Sequence, residues 1–237
     1  MIKKIPEISI FFPFWNEEKN IEKVIKNAIP VAKKIAQKWE IVMVDDGSSD
    51  STKKIAENLV KEEKHLRLIS HRPNRGYGAS LKEGFKNSKF NIIVFNDGDG
   101  QFDFSEVTRF TAKIENYDII IGYRKKRHDH PFRHILMYLL KIWDFIFFNF
   151  YFQDIDCGFK MFKKSALNKI LPLKSEGAMI TTEILAKAKK QNLKIAQVEV
   201  SHFPRIYGNQ SGGNLRVIIR AIWESFTLWK DLNNERN

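Results

Sequence analysis

The chain has 237 residues, long enough for one domain with a sizeable core, and a formal charge of +12 from 40 Lys and Arg against 28 Asp and Glu. Hydrophobic residues at 43% and charged residues at 29% exclude a disordered chain, and a lone cysteine, Cys157, excludes a disulfide framework and a cysteine-based zinc site, with a reducing compartment as the default. The positive charge calls for an anionic partner, but by itself does not choose among nucleic acid, anionic lipid and nucleotide phosphate.

The apolar stretch at 8–15 is broken by Ser9 and Pro13 and is too short for a signal-peptide core. After it, short β-rich runs alternate with helical patterns. Strands are expected at 8–12, 40–44, 66–70, 91–95 and 117–121, and helices at 17–37, 51–61, 77–87 and 104–114. This alternation implies parallel βαβ units in an α/β fold, and near-continuous apolar runs such as 92–95 fit strands covered on both faces. The second half reads as a basic run at 124–127, an aromatic-rich segment to 152, a strand at 159–162, a helix at 181–191, a strand at 194–200, a loop at 201–214 and a last helix at 215–232. No internal repeat or linker interrupts it, and no run reaches the roughly 18 apolar residues of a membrane-spanning helix.

Two acidic loops follow strands, at the end of an open α/β sheet where ligands bind. Asp97 and Asp99 flank one glycine, so both carboxylates can face one hard cation such as Mg²⁺ or Mn²⁺, or form a solvated acidic turn. An EF-hand is excluded because its sixth position is Phe102 and its twelfth Thr108. In Asp45-Asp46-Gly-Ser-Ser-Asp50, Asp46 is placed for ligand contact, while Asp50 or Ser51 is placed to cap the following helix. Gly76-Tyr-Gly78 lacks the third glycine of a dinucleotide fingerprint, Leu81 standing there, and no P-loop occurs. His128 and His130 sit in a basic loop and read as solvated surface rather than a metal pair.

Six motifs occur in order: Phe12-Pro-Phe-Trp-Asn-Glu17, Val44-Asp-Asp-Gly-Ser-Ser-Asp50, Asn74-Arg-Gly-Tyr-Gly-Ala79, Asp97-Gly-Asp-Gly-Gln101, Asp156-Cys-Gly-Phe-Lys160 and Pro204-Arg-Ile-Tyr-Gly208. On these the chain, over roughly residues 7–230, resembles family-two glycosyltransferases of the GT-A fold, in particular the polyprenyl- or dolichyl-phosphate sugar synthases and their bacterial relatives lacking transmembrane helices. The Gln-x-x-Arg-Trp motif of processive polysaccharide synthases is absent. The resemblance implies a Rossmann-like, mostly parallel central sheet flanked by helices, with interfacial and C-terminal amphipathic helices. It divides the chain into a GT-A domain at 1–214, with a nucleotide-binding half to about 122 and an acceptor half from about 123, and a C-terminal amphipathic helix at 215–237.

The activity implied is an inverting, metal-dependent hexosyl transfer from a UDP- or GDP-linked sugar to a polyprenyl phosphate at the membrane surface, or alternatively to a soluble or glycan acceptor. Pro13, Trp15 and Glu17 would line the base pocket, and Asp46 would hold the base or ribose. Asp97 and Asp99 would hold Mg²⁺ or Mn²⁺, and Gln101 would help place the sugar or the metal shell. Arg124 and Arg205 would neutralise phosphates, a task suited to a planar guanidinium. Asp156 is the first candidate to face the acceptor as base or orienting group, and Glu183 the second, unless Glu183 is a first-turn glutamate favoured by the helix dipole. A nucleotidyltransferase is disfavoured because no glycine-rich loop follows the first strand. A basic nucleic-acid-binding module is disfavoured because the aromatics cluster with aliphatics rather than with Lys and Arg.

The segment 135–152 holds eight aromatic residues, and at about 100° per residue His134, Lys141, Asp144 and Asn149 fall within one arc of roughly 140°. Such a helix can lie in a bilayer interface, with the basic run at 124–127 drawn to anionic lipid, or serve as a core helix with one solvated face. The last helix carries an apolar stripe that includes Leu215, Ile222, Phe226 and Trp229, able to dock on the domain or lie on a membrane. The expected location is therefore cytoplasmic, peripheral on the inner face of the cell membrane, with a membrane protein as a possible anchoring partner.

Overall fold

A computed structural model describes residues 4–125, 147–148, 151–208 and 215–234, without the side chains of 215–222 and 233–234. The strands are β1 (Ile5–Phe14), β2 (Ala36–Asp45), β3 (Leu66–Ser70), β4 (Ile92–Asn96), β5 (Ile119–Arg124), β6 (Phe159–Lys163) and β7 (Ile195–Val200). The helices are α1 (Ile21–Ile35), α2 (Thr52–Glu62), α3 (Tyr77–Asn87), α4 (Val107–Thr111), α5 (Lys164–Ile170), α6 (Ile180–Lys190) and α7 (Leu215–Asn234).

Period-two alternation sends side chains to both faces of the sheet. Ile8, Ile10, Phe12 and Phe14 of β1 join Ile41 and Met43 of β2 in one core, under α1 and α2. Phe11, Val42, Val44, Ile93 and Phe95 point the other way, into a second core with α3, α5 and α6. The seven strands run in the order β3-β2-β1-β4-β6-β5-β7. All neighbouring pairs are parallel except those of β6, which is antiparallel to both β4 and β5. The chain winds outward from β1 to β2 and β3, then returns to place β4 on the other side of β1. The carboxyl ends of β1 and β4 thus flank the switch point where open α/β sheets bind ligands.

The expected elements are present with shifted bounds. Helix α1 starts at Ile21 rather than 17, because Asn16 takes a left-handed backbone (φ 54°) and Glu17 carbonyl accepts from the N–H groups of Asn20 and Ile21 in a turn. It ends at Ile35, because Ala36 already pairs with Ile5 in the sheet. The helix expected at 104–114 is a 3₁₀ turn, Phe104–Glu106, followed by the short α4, with the Asp103 side chain accepting from Ser105 N–H. Helix α5 carries too few residues for a periodic signal and was not foreseen.

Most of the aromatic segment, with His134, Lys141, Asp144 and Asn149, lies outside the described residues, as do the basic run beyond Lys125 and the pair His128 and His130. Phe147 is described, and its ring meets Phe226 and Trp229 of α7 edge-on at 5.6 and 5.9 Å. Helix α7 docks on the domain through Leu232 against the second core and through Asp231, which pairs with Lys174 at 2.7 Å, and its Leu228 is buried. Its Trp223, Phe226 and Trp229 stay exposed, at 76%, 43% and 37%. Among the described residues, no helix is long and apolar enough to cross a membrane.

Candidate active site

The chain leaving β1 is laced to the loop after β2. Asn16 N–H donates to Ser48 Oγ at 2.9 Å, and Asn16 Oδ1 accepts from Ser49 N–H at 2.8 Å. Glu17 N–H donates to Thr52 Oγ1, and Asp50 Oδ1 accepts from Thr52 N–H at 3.0 Å, so Asp50 serves the start of α2 as expected. Pro13 is half-buried on this segment, and Trp15 projects with half its surface exposed.

Asp46 is at the expected strand end, but its carboxylate is covered by the chain. Oδ1 accepts from Arg75 N–H at 2.9 Å and lies 2.8 Å from His71 Nδ1, and Oδ2 accepts from Gly76 N–H at 2.7 Å. A carboxylate that is 3% exposed and bonded on both oxygens shapes the 75–76 turn; it stands at the same loop as the expected base pocket.

Asp97 and Asp99 stand at the carboxyl end of β4, beside β1. Tyr77 hydroxyl donates to Asp97 Oδ1 at 2.8 Å, and Gln101 N–H donates to Asp99 Oδ1 at 3.0 Å. Asp97 Oδ2 lies against Gly158, where a Cβ would come within 1.8 Å of it, so the backbone of the 156–160 motif approaches Asp97 as only glycine allows. Burial first, then repulsion from Asp99, pushes the Asp97 carboxyl from its ordinary 3.8 up to about 6, against the pull of the Tyr77 hydrogen bond. Burial also raises Asp99, against the Gln101 N–H and the charge of Arg205.

This donor set fits a divalent cation. Among the described residues no group of three or more His, Cys, Asp or Glu could hold a metal unaided. Two half-buried, mutually repelling carboxylates, one of them shared with Arg205, suit an ion that takes its other ligands from water and phosphate, as Mg²⁺ and Mn²⁺ do.

Arg205 approaches from the far end of the chain. It pairs with Glu17 and places Nη1 3.3 Å from Asp99 Oδ2, while its Nε donates to Tyr207 carbonyl at 2.8 Å. Gln101 is buried and straps the same loop, its Nε2 donating to Phe203 carbonyl at 2.9 Å and its own carbonyl accepting from Phe203 N–H. Burial raises the Glu17 carboxyl, opposed by Asn20 Nδ2 and Arg205. Structure therefore gathers Trp15, Glu17, Asp97, Asp99, Gln101 and Arg205 from three separate loops.

The remaining candidates divide. Arg124 is nearby, but its guanidinium forms a bidentate pair with buried Asp154, at 2.6 and 2.8 Å, which raises its affinity for the proton. Its charge also acts on Asp97 and Asp99, favouring their ionised forms. Asp156 is part-exposed and accepts from Thr181 Oγ1 at 3.4 Å. Glu183 is fully buried. Its carboxylate accepts from Lys174 N–H and Ser175 N–H, each at 2.8 Å, and pairs with Lys187 at 2.8 Å. With both oxygens engaged, Glu183 holds the loop before α6.

An open α/β sheet with paired carboxylates at its switch point places the protein among ligand-binding α/β domains of the Rossmann-like class. Residues 9–171 match the model of glycosyl transferase family 2, and the chain belongs to that family. It is 31% identical over 220 residues to the dolichyl-phosphate beta-glucosyltransferase of Saccharomyces cerevisiae, covering 82% of this chain and 66% of that one. It is 26% identical over 218 residues to the undecaprenyl-phosphate 4-deoxy-4-formamido-L-arabinose transferase of Proteus mirabilis, covering 91% of this chain and 66% of that one. The chain thus spans just under two thirds of the length of these relatives. In fold it is similar to glucosyl-3-phosphoglycerate synthase from Mycobacterium tuberculosis, solved in complex with Mn²⁺, UDP and glucosyl-3-phosphoglycerate. That likeness has a TM-score of 0.69 at 18% identity and covers 94% of this chain and 80% of that one. The GT-A expectation stands, with β6 as the antiparallel strand among parallel ones.

Four participants escaped sequence reasoning: Tyr77, Asp154, Gly158 and Lys160. Three lie in motifs already singled out, but an aromatic, a glycine and a lysine carry no chemical signal until their neighbours are known.

Two tests follow from the charges. A carboxyl raised in the folded state contributes stability that is present below its unfolded value near 3.8 and is lost as pH rises through about 6. Asp97→Asn should therefore raise the melting temperature in chelator at pH 7–8, by about 2–3 kcal/mol of stability, and the gain should shrink below pH 5. Glu183→Ala should lose about 3–5 kcal/mol, because two N–H groups and the Lys187 ammonium lose their acceptor. Thermal melts across pH check both.

Proposed function

We propose that this chain catalyses inverting transfer of a sugar from a nucleotide-sugar donor to a polyprenyl phosphate, assisted by Mg²⁺ or Mn²⁺. The observation that carries the reading is the half-buried Asp97 and Asp99 pair at the β1/β4 switch point with Arg205 drawn to it, in a family-two chain. The names of the yeast and Proteus relatives support a polyprenyl-phosphate acceptor, and the Mn²⁺ and UDP of the mycobacterial enzyme support the donor side.

In this reading an oxygen of the acceptor phosphate attacks the anomeric carbon opposite the diphosphate. The new carbon–oxygen bond forms as the bond to the diphosphate oxygen breaks, and the nucleoside diphosphate leaves with the electron pair. Asp97 and Asp99 would hold the cation, which neutralises charge on the departing diphosphate. Arg205 is the cation able to exchange Asp99 and Glu17 for diphosphate oxygens. Trp15, with Pro13 and Glu17, borders the base, and Asp46 acts on that pocket through the turn it shapes. Gln101 fixes the loop that carries Arg205. Asp156 faces the acceptor; a lipid phosphate is already ionised, so the carboxylate orients it rather than removing a proton.

We infer a peripheral position on the cytoplasmic membrane face, with a membrane-protein partner as a further means of anchoring. The exposed Trp223, Phe226 and Trp229, the last two in contact with Phe147 of the aromatic segment, support it.

The decisive experiment incubates UDP- and GDP-sugars with a polyprenyl phosphate, and in a parallel arm with 3-phosphoglycerate, in Mg²⁺ or Mn²⁺, and reads product mass. A glycosylated polyprenyl phosphate is expected. Asp97→Ala and Asp99→Ala should each lower turnover by about 10²–10³-fold with the fold retained. Product in the soluble arm alone would replace the lipid acceptor, and full turnover of the double variant in chelator would sink the metal reading. For the surface, binding to anionic vesicles should weaken with salt without vanishing, and Trp223→Glu should reduce the salt-resistant part. Unchanged sedimentation of that variant would move the contact elsewhere.

A further inference from the structure

Lys160 is an anomaly in the sheet. It lies on β6, opposite Phe95 of β4 and Ile121 of β5, and is fully buried among apolar neighbours. An ammonium there loses its water, and a methionine of similar volume would serve packing alone at least as well. The side chain reaches the turn that precedes β6. Its Nζ donates to the carbonyl oxygens of Ile155, at 2.9 Å, and of Cys157. Those two carbonyls bracket Asp156. The ammonium also lies in the field of Asp154, Asp156 and Asp97, and 5.7 Å from the Phe95 ring centroid.

We propose that Lys160 is a positioning residue that sets the acceptor-facing carboxylate, by clamping the carbonyl groups of the residues before and after Asp156. The inference rests on the assignment of Asp156 to the acceptor. The clamp has a simple physical basis. Asp156 is part-exposed and has one long hydrogen bond, from Thr181, so its side chain alone does not fix it. A buried cation gripping two carbonyls fixes the backbone instead. The same turn carries Gly158 against Asp97, so one lysine links the acceptor carboxylate to the wall of the cation site.

The test is a double-mutant cycle of Lys160→Met and Asp156→Ala, with UDP-glucose, Mn²⁺ and a polyprenyl phosphate as the first reactants, or the pair that turns over in the screen above. Lys160→Met should lower kcat about 100-fold, the size expected for a displacement near 1 Å. The affinity for UDP without metal, by calorimetry, should stay within about threefold, because the loops that border the base do not rest on Lys160. The double variant should be no slower than Asp156→Ala alone, because the lysine acts through that carboxylate. Should the methionine variant fail to fold in a thermal melt, Lys160→Arg, which keeps a charged donor, carries the same cycle. Multiplying defects, or a loss of UDP affinity equal to the loss of kcat, overturns the Lys160 proposal alone. Full activity of Asp156→Ala removes the acceptor role of Asp156 and the clamp with it.

Discussion

Repulsion between two carboxylates drawn partly out of water is the constraint on which the site depends. Asp97 and Asp99 are two residues apart in a half-buried turn, and the loss of water raises both toward protonation. The surrounding structure supplies partial compensation: a Tyr77 hydroxyl, a Gln101 N–H, and the charges of Arg124, Arg205 and Lys160. None of these neutralises the pair by a close bidentate contact. A site left short of positive charge in this way binds cations because the fold has already met the cost of bringing the two anions together.

The cations around that turn are allocated differently, although composition treats them alike. Arg124 is locked to Asp154 and contributes only a field. Lys160 is locked to backbone carbonyls beneath the 155–157 turn. Arg205 sits on a loop, shares itself between Glu17 and Asp99, and is the cation whose partners are themselves site residues. A mobile ligand's charge can therefore displace the third without dismantling the core that holds the first two.

The helix α7 illustrates how an apolar stripe can serve two surfaces. Leu228 is buried and Leu232 packs onto the domain, while Trp223, Phe226 and Trp229 remain outside, with Phe147 against two of them. Docking consumes one side of the stripe and leaves the aromatic side as a patch. Aromatic rings of this kind tolerate a boundary between water and hydrocarbon.

Alternation of strands and helices, apolar runs and loop carboxylates made the parallel sheet, the α3 helix at 77–87 and the cation pair legible in the sequence, because those features follow from local periodicity and short spacing. The same patterning could not show that β6 runs antiparallel between β4 and β5, since strand direction is set by how the chain returns. Nor could it separate carboxylates of like chemistry. Asp97 and Asp99 sit half-buried beside the Arg205 side chain, whereas Asp46 and Glu183 are buried on backbone N–H groups of segments 29 and 9 residues away. Lys160 carried no role in the sequence beyond its place in the 156–160 motif, and its burial comes from the strands on either side of it. Residue type and spacing fixed which chemistry was available; tertiary structure decided which groups remain free to use it, because burial and hydrogen-bond partners come from parts of the chain distant in sequence.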